Sequence, residues 1–389
     1  MRVAVVWNYG TPLRQCSFRF EEYIHGLEAL GHEAFVACPE SSNDGFPVPI
    51  VSPPGGGGLE DAGFWRGLGA DVAIVPSFHQ MSDLLELIRG AGVRTIAMGD
   101  SDGQMGLRAF PLATLRRKVF SGSPDRGHQV RQLRFLARRY LLSFRRTDPQ
   151  DAEFVRSAGE SDVLILGCEE AKAHFRRFLR TAGAADLQGR VHVSPLAIHR
   201  VYVDSPDLGR ERRGMVAIGR WDDPQKNAPL LARALARYFG RAGSEARGEP
   251  VSIFGPGAES LFGELNRRFP NVEHHGPQYP EVLAAALAGS RFIVFSSRWE
   301  GAPHAGCEAL SMGATVVGTP IPSLRSWSEG GAYGRVASAH RAGPLAAAMA
   351  EEQAAWRRGE RHPASIAAVW RQRSSGRGVC QTMLEALAQ

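Results

Sequence analysis

Long apolar runs are missing from this chain. No stretch of its 389 residues approaches the roughly 20 apolar residues that a membrane-spanning helix needs. Cysteine is scarce and poorly placed for crosslinks or metal. Cys16, Cys38, Cys168, Cys307 and Cys380 are odd in number, scattered, and lack the paired spacing of a zinc site. They read as reduced structural thiols, which fits a cytoplasmic protein. Cys307 invites a nucleophile's role beside Glu308, but a small apolar filler in a helix accounts for it better. The glycine-rich stretch from Pro53 to Gly58 lacks the Lys-Ser/Thr of a nucleotide P-loop, and no convincing helix follows it. It reads as a flexible loop. Met1 to Val6 is too short for the apolar part of a signal peptide and no small-residue cleavage site follows, so it reads as a first strand. No nucleic-acid recognition motif or aromatic stacking pattern is present.

What remains is ordinary globular composition, 43% apolar and 22% charged, in a chain longer than one core usually serves. Two domains are expected. Strand then helix is the recurring theme. Apolar strands are expected at Arg2 to Trp7, Glu33 to Ala37, Val72 to Val75, Thr95 to Met98, Val163 to Leu166 and Val191 to Val193. Helical periodicity at Phe18 to Leu30 stops at Gly31, and Glu169 to Arg180 is amphipathic. A second block begins near Gly214, with strands at Met215 to Gly219, Val251 to Gly255, Phe292 to Phe295 and Thr315 to Val317, and a helix at Ala228 to Tyr238. The polar stretch Ser205 to Arg213 makes a hinge. The expectation is an α/β protein of two doubly wound domains, 1–204 and 214–365, facing a central cleft. An amphipathic helical tail, 366–389, packs back on the first domain.

Chemistry concentrates in the second block. Glu300 and Glu308, with seven residues between them, fall just past the C-terminal end of the Phe292 strand, on the loop and short helix that end at Gly313. In open parallel sheets that edge is where ligands bind. Arg220 directly follows the Met215 strand, and Lys226 stands at a helix start, where a cation opposes the macrodipole unless an anion is near. A diphosphate reconciles both, because a planar fork and a mobile point charge can follow a phosphate whose charge grows as its bond to carbon breaks. Either residue alone is better explained by a solvated basic edge.

The chain resembles the glycosyltransferases of family 4, retaining enzymes of two Rossmann-like domains (the GT-B architecture) that use nucleotide-sugar donors. The resemblance is carried by Ala29-Leu30-Gly31-His32-Glu33, by Gly219-Arg220 with Pro224-Gln225-Lys226-Asn227, and by Glu300-Gly301-Ala302-Pro303 with Glu308-Ala309-Leu310, Gly313 and Val316-Val317. It implies a UDP- or GDP-sugar donor and no metal, since Arg220 and Lys226 supply positive charge to the diphosphate. It further implies that Glu308 accepts from the two ribose hydroxyls and that Glu300 faces the transferred sugar. Gly219, Gly301 and the helix start at His304, Ala305 and Gly306, with backbone N–H groups from Ala305 to Cys307, complete the donor site. Loops at Gly255-Pro256-Gly257 and His274-His275-Gly276 are expected near the base. The first domain departs from the family pattern. One glycine, Gly10, stands where family members often have a Gly-Gly loop, and Asp100 or His79 stands in for a family histidine near the reacting sugar and acceptor. A non-catalytic nucleotide-sugar-binding protein is the rival on this scaffold, and a sugar phosphorylase is weakened by the lack of a lysine in recognisable pyridoxal context.

Positive charge is local. The net charge is +6, and between Arg108 and Arg146 eleven basic residues face one acid, Asp125. Within this segment Val130 to Phe144 alternates arginines with Leu133, Phe135, Leu136, Tyr140, Leu141 and Leu142. Three readings are open: a membrane-peripheral helix serving a lipid-linked acceptor, a site for an acidic small-molecule acceptor, or a core-facing helix with a solvated arginine face.

Overall fold

The strands form where β-branched and small apolar residues run together, because both faces of a parallel sheet are covered and every position must be apolar. In the computed structural model, residues 1–8, 18–39, 47–77, 79–99, 101–113, 126–143, 148–205, 211–241 and 248–389 are described. They divide into two compact units. The residues through His199 form one with Arg373–Gln389, and Arg200–Gln372 form the other.

The first unit carries β1 (Arg2–Val6), β2 (Glu33–Ala37), β3 (Ile50–Val51), β4 (Val72–Val75), β5 (Arg94–Gly99), β6 (Val163–Leu166) and β7 (Val191–Val193). All pair in parallel, in the order β3-β2-β1-β4-β5-β6-β7. Val3 lies opposite Ala34 on one side and Val72 on the other, so the centre of the sheet is aliphatic and dry. The topology reverses between β1 and β4, and such switch points open a crevice at the strands' C-terminal ends. The C-terminal helix Gly376–Ala388 packs on the helix Phe18–Glu28 of this unit. Glycine is required at that crossing: a Cβ on Gly376 would collide with the Glu22 carbonyl, and one on Gly26 with Gly376 itself. Cys380, buried beside the crossing, directs its thiol to the Tyr23 carbonyl at 3.5 Å, and burial pushes that thiol up to about 12.

The second unit carries β8 (Met215–Ile218), β9 (Val251–Phe254), β10 (Val272–Gly276), β11 (Phe292–Phe295), β12 (Thr315–Gly318) and β13 (Gly334–Val336), parallel in the order β10-β9-β8-β11-β12-β13. Its switch point lies between β8 and β11. The helices Ala228–Arg241 and Ala342–Arg357 press Leu231, Leu235, Phe239, Leu345 and Met349 onto one side. Arg212 is buried and holds helix ends together, donating to the carbonyls of Leu287, Ser290 and Met312. These loops therefore cannot drift from the sheet.

Two local expectations fail. The glycine-rich stretch at 53–58 forms a 3-10 turn at Pro54–Gly56 and is followed by a helix, Ala62–Leu68. Small residues hid its period, yet Phe64, Trp65 and Leu68 are buried and Asp61 caps it by accepting from the Gly63 N–H at 2.7 Å. His274 to Gly276 is the end of an edge strand, not a loop, its alternating exposed residues having masked the pattern. Part of the expected hinge, 206–210, lies outside the described residues.

Candidate functional site

Two loops meet at the switch point of the second sheet. The first leaves β8 at Gly219 and turns through Arg220–Asn227 into the helix Ala228–Arg241. Trp221 anchors it, donating its indole N–H to the Phe254 carbonyl at 2.8 Å and its backbone N–H to Pro256 at 2.7 Å. Gly255 is pressed so close to Gly219 that a Cβ would collide with the Gly219 carbonyl, and its φ of +109° suits only glycine. Gly255-Pro256-Gly257 therefore buttresses this loop. Asp223 closes the turn by accepting from the Gln225 N–H at 2.8 Å, and Asn227 takes a positive φ of 57° before the helix begins.

The second loop follows β11 as Ser296–Pro303 and is stitched to the first. Ser296 Oγ donates to the Lys226 carbonyl at 2.6 Å, the Arg298 N–H to the Gln225 carbonyl at 2.8 Å, and Arg298 Nε to the Pro224 carbonyl at 3.0 Å. From below, Thr319 Oγ1 donates to the Ser297 carbonyl at 2.5 Å. Every one of these bonds is local to the strand ends. Together they fix where the next side chain points.

That side chain is Glu300, which is buried. Its Oε1 accepts from Lys226 Nζ at 2.6 Å and from Ser297 Oγ at 2.7 Å, and its Oε2 accepts from Gln225 Nε2 at 2.9 Å. Gln225 is itself oriented by the Trp299 carbonyl at 2.8 Å. A carboxylate offers about four acceptor positions, so three donors leave roughly one, on Oε2. Such a group is a fixed negative charge with one open acceptor.

Glu308 sits differently. It lies on the helix His304–Ser311, only 8% exposed. Burial alone pushes its carboxyl up to about 7. Tyr202, also buried, is raised first by its own burial and then by the charge of Glu308. Gly306 on the same helix fits under Trp327, whose ring would meet a Cβ at 2.9 Å. The Gly306 N–H is engaged by the Pro303 carbonyl at 2.9 Å, which removes one of the backbone donors expected there. Arg220 stands 72% exposed, with Nη2 3.2 Å from Asp223 Oδ2.

The structure thus joins Lys226 to Glu300, adds Gln225 and Ser297, and leaves Arg220 on the solvent side. It also supplies an anion to Lys226 beside the helix start, Glu300. From sequence, Gln225 and Ser297 had no role of their own, although Gln225 lies in the motif with Lys226 and a polar pair directly follows the β11 run. Gly301 and Ala305 lie in the same loop and helix start, and His304 opens the helix half-buried. In the first unit, His79 lies after β4 with its ring edge-on to Phe154 at 5.1 Å, while Gly10 and Asp100 fall outside the described residues. Asp223 accepts from the Gln225 N–H on Oδ1 and from Arg220 on Oδ2. Among the described residues no group of three or more His, Cys, Asp or Glu is arranged to hold a metal.

Residues 212–352 match the model of the family described as glycosyl transferases group 1. No curated protein matches the chain by sequence. Among solved structures, the lipopolysaccharide outer core galactosyltransferase WaaB, in its apo form, is 14% identical with a TM-score of 0.62, the match covering 100% of this chain and 99% of that one. Anabaena Alr3699/HepE in complex with UDP is 13% identical with a TM-score of 0.61, covering 100% of both, and it is also known with UDP and glucose. AviGT4, a glycosyltransferase involved in avilamycin A biosynthesis, is 16% identical with a TM-score of 0.57, covering 100% of this chain and 97% of that one. At these identities the likeness is one of fold, the GT-B fold.

Proposed function

We propose that the chain, whose residues 212–352 match the glycosyl transferases group 1 family, is a retaining family 4 enzyme that moves a sugar from a nucleotide-diphosphate-sugar to an acceptor hydroxyl without a metal. The observation that carries this reading is the Lys226–Glu300 pair, buried and braced by Gln225 and Ser297 at the switch point. The donor diphosphate takes Lys226 and Arg220 as its cations. Arg220, exposed and held only at an i,i+3 contact, can swing onto a phosphate at little cost. Glu300 keeps one acceptor position for a sugar hydroxyl and stabilises positive charge at the anomeric carbon.

No strong base is needed in such a reaction. As the bond from the anomeric carbon to the phosphate oxygen breaks, the departing oxygen gains charge and takes the proton of the incoming hydroxyl on the same face, so configuration is retained. Lys226 stabilises the charge that develops. Glu308 accepts from the ribose diol in its ionised form, and two donated hydroxyls replace the solvation that burial removes. UDP is the nucleotide of first choice, because a full-length fold neighbour carries it. His79 and Asp100 remain the proposed acceptor-side residues, with Gly10 beside the donor. Buried thiols at Cys38, Cys168, Cys307 and Cys380 accord with a reducing cytoplasm.

The test is nucleotide release from a panel of UDP-, GDP- and ADP-sugars, with and without acceptor alcohols. Turnover with at least one donor that is lost in Lys226→Ala supports the reading. Tight nucleotide binding without turnover under any acceptor would favour a non-catalytic binding protein.

A further inference from the structure

We infer that the helix Arg126–Leu142 is a docking surface for an anionic lipid bilayer. Arginines stand at 126, 131, 134, 138 and 139, and the helix contains no acid. Among its residues with described side chains, Leu136 is the only one that is fully buried. Arg139 pairs with Asp148, the N-cap of the helix Pro149–Gly159, and its guanidinium lies over the Phe135 ring at 5.5 Å. These contacts fix which side of the helix turns inward. On the opposite side Val130, Leu133, Arg134, Arg138 and Leu141 are exposed.

That outer side combines two features that water alone does not favour. At about 100° per residue, Val130, Leu133 and Leu141 fall within one arc of roughly 80°, and Arg134 and Arg138 follow directly along it. The three apolar residues are 48%, 38% and 69% exposed, in a chain whose other large apolar residues are mostly buried. Arg134 and Arg138 are exposed as well. An apolar strip bordered by arginines fits the boundary between headgroups and acyl chains: leucines enter, arginine stems lie flat, and guanidiniums fork onto phosphates. Charge complementarity selects an anionic leaflet over a neutral one. No helix among the described residues is long and apolar enough to cross a membrane, so this helix would lie on the surface. The inference rests on exposure and charge in the first unit and stands apart from the glycosyl-transfer reading.

The experiment is co-flotation of the full chain with vesicles of phosphatidylcholine alone or mixed with phosphatidylglycerol. The expected result is binding to the anionic vesicles, weakened by salt, and little binding to the neutral ones. Arg134→Gln with Arg138→Gln should weaken binding roughly thirtyfold. Leu133→Ser with Leu141→Ser should weaken it roughly tenfold at unchanged charge. All four positions are exposed, so thermal unfolding should not move. Absence of binding to anionic vesicles overturns the proposal. So does binding that survives the leucine changes, or a preference for soluble polyglutamate over vesicles, either of which would mark a polyanion or protein site instead.

Discussion

At the residue scale the two glutamates separate by environment. Glu300 has its charge met by lysine, serine and glutamine, whereas burial raises Glu308 to about 7 from an ordinary 4.5. Between those two values the unfolded chain has lost a proton that the folded protein keeps. The contribution of Glu308 to stability therefore falls as pH rises from about 4.5 to about 7 and levels off above. Glu308→Gln should stabilise the protein by roughly 3 kcal/mol at pH 8 and by under about 1 kcal/mol at pH 5, measured by urea unfolding. UDP binding should change in the opposite sense. A ribose diol donates to the ionised carboxylate, so calorimetric affinity should tighten about tenfold from pH 6 to pH 8 and stay flatter in the glutamine variant, which cancels titration of the nucleotide itself. Glu308→Ala should mainly weaken nucleotide binding. Glu300→Gln should mainly slow transfer. If both variants lose only nucleotide affinity, that division of labour is wrong.

At the element scale the close helix crossing at the C-terminus is the most exposed to test. Gly376 lies against the Glu22 carbonyl with no room for a methyl group, so Gly376→Ala should destabilise the protein by roughly 1 to 3 kcal/mol in urea unfolding. An unchanged midpoint would mean that the helix Gly376–Ala388 shifts freely. Central elements were legible in the sequence because their residues obey one constraint. Val72 to Val75, Val163 to Leu166 and Phe292 to Phe295 are apolar throughout, as strands buried on both faces must be, and the structure places strands at those same residues. Of the edge strands, β7 was legible at Val191 to Val193, and the other three were not. β3 has two residues, β13 is Gly-Arg-Val, and β10 alternates exposed histidine and glutamate, so no apolar run announces them. The site was legible as chemistry but not as contact: Lys226 and Glu300 each stood out, yet their pairing depends on β8 and β11 being neighbours, which no local pattern states.

At the scale of the whole molecule, the proposed function asks one sheet's aromatic-anchored, hydrogen-bonded edge to hold a diphosphate with side-chain cations and no metal. Transfer should therefore persist in excess EDTA; loss of activity restored by magnesium or manganese would show that Arg220 and Lys226 do not suffice. The Lys226–Glu300 pair itself is the claim on which this depends. Lys226→Ala leaves a buried carboxylate uncompensated, so it should cost about 3 kcal/mol of stability as well as turnover. A double-mutant cycle on nucleotide-sugar turnover is the most direct measurement. Lys226→Ala and Glu300→Gln should each lower kcat/KM by about a hundredfold to a thousandfold, and the double variant should be little worse than either alone, because the two side chains act as one unit. Losses that simply multiply in the double variant would contradict a shared site.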